Sequence, residues 1–393
     1  MILEPPLILH FSFLNMSTKP HLLLLDALRG VAALIVLYYH CFECFGYEIA
    51  EGTGLFTQHC DHGYLAVDFF FLLSGFVIAY AYDDRRTMTF GTFARRRLIR
   101  LHPMVVAGAV IGLVCYLADG GTNWSGQVVQ PGYVALAFAM TLVMLPVAPG
   151  WGTDVRGNNE MFPLNGPQWS LFFEYIGNIL YALLLRRLPT KALAVVVAAT
   201  GIALGAHVLQ GGYLGEGWSL ADMGFVWGLL RMLFPYALGM LLCRLFLKRH
   251  TLQSLADGQK SKRFMPIFIG CTVVLLVLLP MPFVGQPQHP WMNGLYILLV
   301  TMVAFPAIIW AAASAGTGTS KLCTFLGELS YPLIIVHYPL MYLFYRYHGF
   351  PNVTCTMADV WPMAVVTFAG SILLATLFLY AYDKPVRRWL SKR

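Results

Sequence analysis

Apolar runs of about 20 residues, separated by short polar turns, recur along most of the chain and limit the possible fold more than any other feature. A run of that length crosses the hydrocarbon core of a bilayer as a helix, rising about 1.5 Å per residue. A helix also closes its backbone hydrogen bonds within the segment, as a bilayer requires. Eleven such runs fall near 23–43, 64–82, 103–118, 133–145, 167–185, 191–209, 224–247, 264–284, 293–314, 325–347 and 361–381. They leave no stretch long enough for a separate soluble domain. With 58% hydrophobic and 11% charged residues, against about 25% charged in soluble domains, the expected fold class is all-α, a polytopic transmembrane helical bundle. One membrane domain is expected over 22–384, after an extension at 1–21 and before a basic tail at 385–393. The opening MILEPPLILHFSFLN lacks the basic start and small-residue cleavage site of a signal peptide, and Met16 is an alternative start.

The net charge of +7 does not point to nucleic acid, because the basic residues sit in short clusters between apolar runs. Cytoplasmic turns of membrane proteins carry such clusters. If all eleven runs crossed, Arg186, Arg187 and Lys191 would lie opposite the cluster from Arg85 to Arg100. The conflict disappears if the run at 133–145, bounded by Pro131 and Pro146, is re-entrant or interfacial. The expectation is therefore ten spans in a cell membrane, with both termini cytoplasmic and the loop at 119–166 outside.

Chemistry begins in the first run, LDALRGVAALIVLYYH, where Asp26, Arg29 and His40 share nearly one helix face. Arg29 and His40 are eleven residues apart, about three turns and roughly 16 Å of rise. Polar groups within a bilayer usually serve a buried pathway or site, although Asp26 and Arg29 as interfacial anchors with a snorkelling His40 is the plainer alternative. Asp68, early in the next run, is expected at the depth of His40, where it either orients that imidazole or caps its own helix. Ser74, in the same run, reads as a helix-packing position beside Gly75. In ARRRLIRLHP, Arg97 and Arg100 fall three apart on one face, beside Arg96. The cluster serves either as a positive-inside anchor or as a phosphate clamp.

The segment PQWSLFFEYIGNILY carries Ser170, Glu174, Asn178 and Tyr181 as a polar stripe that must face protein or water. Glu174 is a candidate proton carrier or partner for His40. Ser330 and His337 in GELSYPLIIVHYPL lie seven apart on one face. In the first outer loop Cys41, Cys44, His59, Cys60 and His62 crowd together. Either a Cys44–Cys60 disulfide or a metal would use them, but the spacing fits no standard zinc pattern and no metal is expected. Trp124, Trp151 and Trp218 in the outer loops suit an interfacial belt or sugar stacking.

Together LDALRG, VDFFFLLSGF, RRRLIRLHP, QWSLFFE, GELSYPLIIVH and the final YDKP resemble the acyltransferase-3 family of membrane-bound acetyltransferases, over nearly the whole chain. Ile334 and Asp383 depart from residues the family often has there. The resemblance implies transfer of an acetyl group from cytoplasmic acetyl-CoA, a donor substrate rather than a tightly bound cofactor, to a hydroxyl at the outer face. The acceptor would be a cell-surface or exported glycan, a lipid-linked sugar or a small glycoside. His40 would be the general base or a brief acyl carrier, Arg29 would position the thioester, and Glu174 or Asp68 would orient His40 or take its proton. Arg97 and Arg100, with Arg96, would hold the donor phosphates, while Asp26, Trp169, Ser170, Asn178, Ser74, Ser330 and His337 would support the site. No fused second domain is expected. A proton-coupled transporter also uses embedded His, Glu and Arg, but it would bring an internal repeat or paired broken helices, and none is evident.

Overall fold

A computed structural model describes residues 19–43, 60–84, 88–250, 263–285, 288–316, 318–352 and 357–392. Residues 1–18 and Cys44 lie outside this set, so the N-terminal extension and the Cys44–Cys60 pairing do too. Each of the eleven apolar runs forms helix. In chain order these are α1 (Leu23–His40), α2 (Ala66–Tyr82), α3 (Phe90–Ala118), α4 (Pro131–Leu142), α5 (Gln168–Leu183), α6 (Thr190–Gly211), α7 (Gly224–Arg249) and α8 (Phe264–Leu278). The ninth run is α9 (Pro290–Leu299), a π segment at Val300–Ala304 and α10 (Phe305–Ser314). Then come α11 (Lys321–Tyr347) and α12 (Met357–Phe378), the latter joined by a π segment at Leu379–Asp383 to α13 (Lys384–Ser391).

Among the described residues, seven helical segments are long and apolar enough to cross a membrane. The helix at 131–142 has 12 residues, about 18 Å of rise, which is too short for a core of about 30 Å. Two other runs are trimmed at their ends, giving 16 residues in α5 and 15 in α8.

Two close helix pairs set the frame for everything functional. α1 lies along α11 and α2 lies along α7. Small residues make both approaches possible, as membrane interfaces require. A Cβ on Gly30 would come within 2.2 Å of the Leu326 carbonyl oxygen, and one on Gly327 within 2.8 Å of the Asp26 Cβ. Across the other pair, a Cβ on Gly75 would meet the Tyr236 carbonyl oxygen at 2.0 Å, and one on Gly239 the Leu72 oxygen at 2.0 Å. Ser74 is therefore freed from the packing seam that Gly75 occupies.

The loop from 119 to 166 folds down over α11. Fully buried Arg156 bonds Asp119 at 3.0 Å and lies over the rings of Tyr116, Trp124 and Tyr342. Arg346 of α11 reaches the same Asp119 at 3.4 Å. This strut fixes the position of Glu160.

A candidate active site of two joined chambers

α1 presents Arg29 and His40 to two cavities that share a wall. The chamber at the Arg29 end, about 210 Å³, is lined by Arg29, Ser74, Arg97, Arg100, Glu174 and Ser330. The chamber at the His40 end, about 340 Å³, is lined by His40, Glu43, Glu160, Trp169, Arg231 and Tyr338. Val67, Phe70, Ser170 and Ile334 border both. A third cavity, about 250 Å³, shares Arg29, Arg100 and Tyr331 with the first and continues past Arg387 of α13. The three lie in series along the bundle.

Cations dominate the first chamber. Arg29 donates from Nη2 to Asp26 Oδ1 at 2.8 Å and from Nε to Ser330 Oγ at 3.1 Å, while Ser330 donates to the Gly327 carbonyl at 2.8 Å. Arg97 Nη2 donates to Glu174 Oε1 at 2.9 Å, and Ser74 Oγ donates to the same oxygen at 3.4 Å. The Arg97 Nε is buried without a partner. Arg100 lines both this chamber and the next cavity, and no hydrogen bond or ion pair holds it among the described residues. Arg96 is exposed and borders none of the three cavities. A helix with arginines at successive positions cannot aim all of them inward, so the clamp geometry falls to Arg97 and Arg100.

In the second chamber, hydrogen bonding fixes the state of His40. His337 Nδ1 lies 2.8 Å from the Leu333 carbonyl oxygen, which can only accept, so that nitrogen carries the proton. The neutral ring then offers its Nε2 as an acceptor. His40 Nδ1 is 2.9 Å away and donates to it. The lone pair of His40 is thereby left on Nε2. Glu43 Oε2 stands 3.7 Å from that nitrogen. The Tyr338 hydroxyl donates to Glu43 Oε1 at 2.7 Å, and the Tyr345 hydroxyl contacts both the His40 carbonyl and Glu43 Oε1.

Two expected pairings are corrected. Asp68 does not face His40: Arg231 of α7 grips its carboxylate through Nε at 3.2 and 3.3 Å and Nη2 at 2.9 Å. Both side chains are almost wholly enclosed, at 2% and 1% exposure. A buried guanidinium needs a counter-charge, and Asp68 lies on the face of α2 that meets α7. Glu174 likewise pairs with Arg97 in the first chamber rather than with His40. Equal depth does not ensure a shared face, and depth was all that spacing supplied. Trp169 lines the second chamber with its ring beneath Arg231, and Ser170 borders both chambers while donating to the Pro167 carbonyl at 2.9 Å. Asn178 is buried beside the Tyr236 hydroxyl, at 3.4 Å, and borders neither. Trp218 lines the second chamber, Trp124 is buried in the loop strut and Trp151 is exposed.

Glu43, Glu160 and Arg231 escaped sequence reasoning. Glu43 follows His40 at the helical i+3 position, and Arg231 is a charge inside an apolar run, so each left a signal. Glu160 left none, since only the fold of its loop brings it inward.

This arrangement defines a multi-pass membrane protein with a cationic chamber joined to a histidine-bearing one. A family model described as an acyltransferase domain matches residues 22–380, and the chain belongs to that family, acyltransferase-3, whose members are membrane acyltransferases. It is similar to "Protein 2 in picA locus" of Rhizobium radiobacter, 33% identical over 205 residues, which cover 49% of this chain and 96% of that protein. It is also similar to "Acyltransferase MdmB" of Streptomyces mycarofaciens, 31% identical over 179 residues, 43% of this chain and 41% of that one. No solved structure matches.

Proposed function

We propose that the protein moves an acetyl group from cytoplasmic acetyl-CoA to a hydroxyl of a glycan, lipid-linked sugar or small glycoside at the outer side of the cell membrane. The observation that carries this reading is the shared wall of the two chambers, with Arg29 lining one and His40 the other. The donor's phosphates suit Arg100 and Arg97, whose spare N–H groups seek anionic oxygens. Its thioester would pass Arg29 and Ser330 toward Ser170 and Ile334.

In the second chamber His40 Nε2 takes the proton of the acceptor hydroxyl. The hydroxyl oxygen attacks the thioester carbonyl carbon, the C–S bond breaks, and the departing CoA thiolate recovers the proton from the imidazolium. Residues at the Arg29 end also support a cytoplasmic orientation for it. Arg186 bonds the Met88 carbonyl, Arg244 bonds Asp83 and the Leu188 carbonyl, and Lys19 reaches Asp84. The basic turns thus cluster on one side of the bundle, as positive-inside orientation demands.

The test is thiol release from acetyl-CoA by the purified protein in lipid nanodiscs, with and without an extract of cell-surface glycans. Extract-dependent release with acetyl ester formation is expected. Solute uptake into vesicles with no ester formed would replace this reading with a transporter.

A further inference from the structure

The second chamber has a charge imbalance that acyl transfer does not require. Glu43 and Glu160 both line it. Arg231, the one arginine in its wall among the described residues, spends Nε and Nη2 on Asp68, Nη2 also on the Tyr64 carbonyl and Nη1 on the Glu216 carbonyl. That pair cancels, and His40 and His337 are neutral in the hydrogen-bond pattern above. Among the described residues, the two carboxylates therefore share this chamber with no unpaired lysine or arginine in its wall: Arg156, which lies over the Tyr342 ring, is outside the lining and bonds Asp119, and a buried carboxylate is costly without a counter-charge.

Glu160, 7% exposed, accepts from the Tyr342 hydroxyl and from Asn158 Nδ2 at 3.0 Å, so its position is set before any ligand arrives. One polar atom of the lining is unused: among the described residues, the side-chain oxygen of Asn158 is buried without a donor. The remaining wall is aromatic, with Trp169, Trp218 and Tyr213. Ring faces attract cations and stack on sugar rings. Burial, with a smaller push from Glu43, raises the Glu160 carboxyl to about 7 against the opposing hydrogen bonds of Tyr342 and Asn158 and the charge of Arg156.

Resting on the reading that this chamber receives the acceptor, we infer that the acceptor carries a protonated amine near the hydroxyl that is acylated, as an amino sugar does. Glu160 is the amine's counter-charge and Asn158 accepts one of its hydrogens. Acceptors bearing a carboxylate or phosphate in that position are rejected by like charge.

The experiment titrates the full chain in lipid nanodiscs with three methyl glycosides of glucose: the 2-amino compound, the unsubstituted sugar and the uronate. Tryptophan fluorescence reports binding, since Trp169 and Trp218 line the chamber. At least tenfold tighter binding of the amine than of the neutral sugar is expected, with no saturable signal from the uronate. Glu160→Gln removes the amine preference, and Asn158→Ala reduces the preference in part; melting curves show whether each variant is folded. Equal binding of amine and neutral sugar, tighter uronate binding, or no binding of any of the three overturns the inference. Thiol release from acetyl-CoA is measured on the same preparations. If it depends on glycan extract while no amine preference is found, the acyltransfer reading stands and this inference alone falls.

Discussion

At the scale of single residues, the His40–His337 contact decides which nitrogen is available. His337 acts through His40, so it is a positioning residue. Replacing it with alanine lets the His40 ring turn and choose the other tautomer, and kcat should fall about 10²-fold while the KM for acetyl-CoA holds. His337→Gln, which can still accept from His40 Nδ1, should recover part of the rate and of the pH profile. Equal losses in both variants, or a loss confined to KM, would count against the assignment. Arg97→Ala should act on the other side of the shared wall, raising the KM for acetyl-CoA about tenfold, since a charge-assisted hydrogen bond contributes about 1.5–3 kcal/mol. An unchanged KM would leave Arg97 as an anchor only.

The Asp68–Arg231 pair belongs to stability. Removing either partner strands a buried charge, at a cost of about 3–5 kcal/mol. Asp68→Asn or Arg231→Met should lower the melting temperature in detergent sharply, and the double replacement Asp68→Leu with Arg231→Met should recover most of it. A single variant that melts like the wild type would refute the pairing. Arg29 and His40 were legible in the sequence because charged side chains stand out in an apolar helix. The partner of Asp68 was not, because neither helix spacing nor depth reveals which neighbour a helix face meets.

At the scale of elements, two close helix pairs hold the chambers open between them. α1 against α11 brings His40 to His337, and α2 against α7 brings Asp68 to Arg231. Gly75→Val would push a side chain into the Tyr236 carbonyl, already only 2.0 Å from an added Cβ. The backbone cannot yield as a flexible side chain would, so this variant should lose folded protein on size-exclusion chromatography, whereas Gly270→Ala, which meets nothing within 4 Å, should not. Equal yields would contradict the packing. The apolar period revealed that every run is helical, and the proline-bounded run at 133–145 revealed that α4 is short. The π segments at Val300–Ala304 and Leu379–Asp383 left no mark in hydropathy, because inserting one residue into a helical turn does not alter which residues are apolar.

For the whole molecule, the account joins a basic end to an end that carries the His40 chamber, with α1 linking them. A reporter fused after Val147 should register the outer face; a cytoplasmic signal would invert the proposed direction of acyl transfer. The expected polarity comes from the placement of Lys and Arg. The second chamber was not legible in the sequence, because its lining comes from α1, α2, α5, α7, α11 and three connecting segments, and Glu160 reaches it only through a loop pinned by Arg156. The central claim is that His40 performs the transfer between the two chambers. Its most direct test follows radiolabelled acetyl groups from acetyl-CoA into the glycans of membrane vesicles containing either wild-type protein or His40→Ala at matched levels. The account predicts that incorporation falls by at least about 10²-fold while acetyl-CoA still binds at the arginine chamber. Full incorporation by the His40→Ala protein would contradict it.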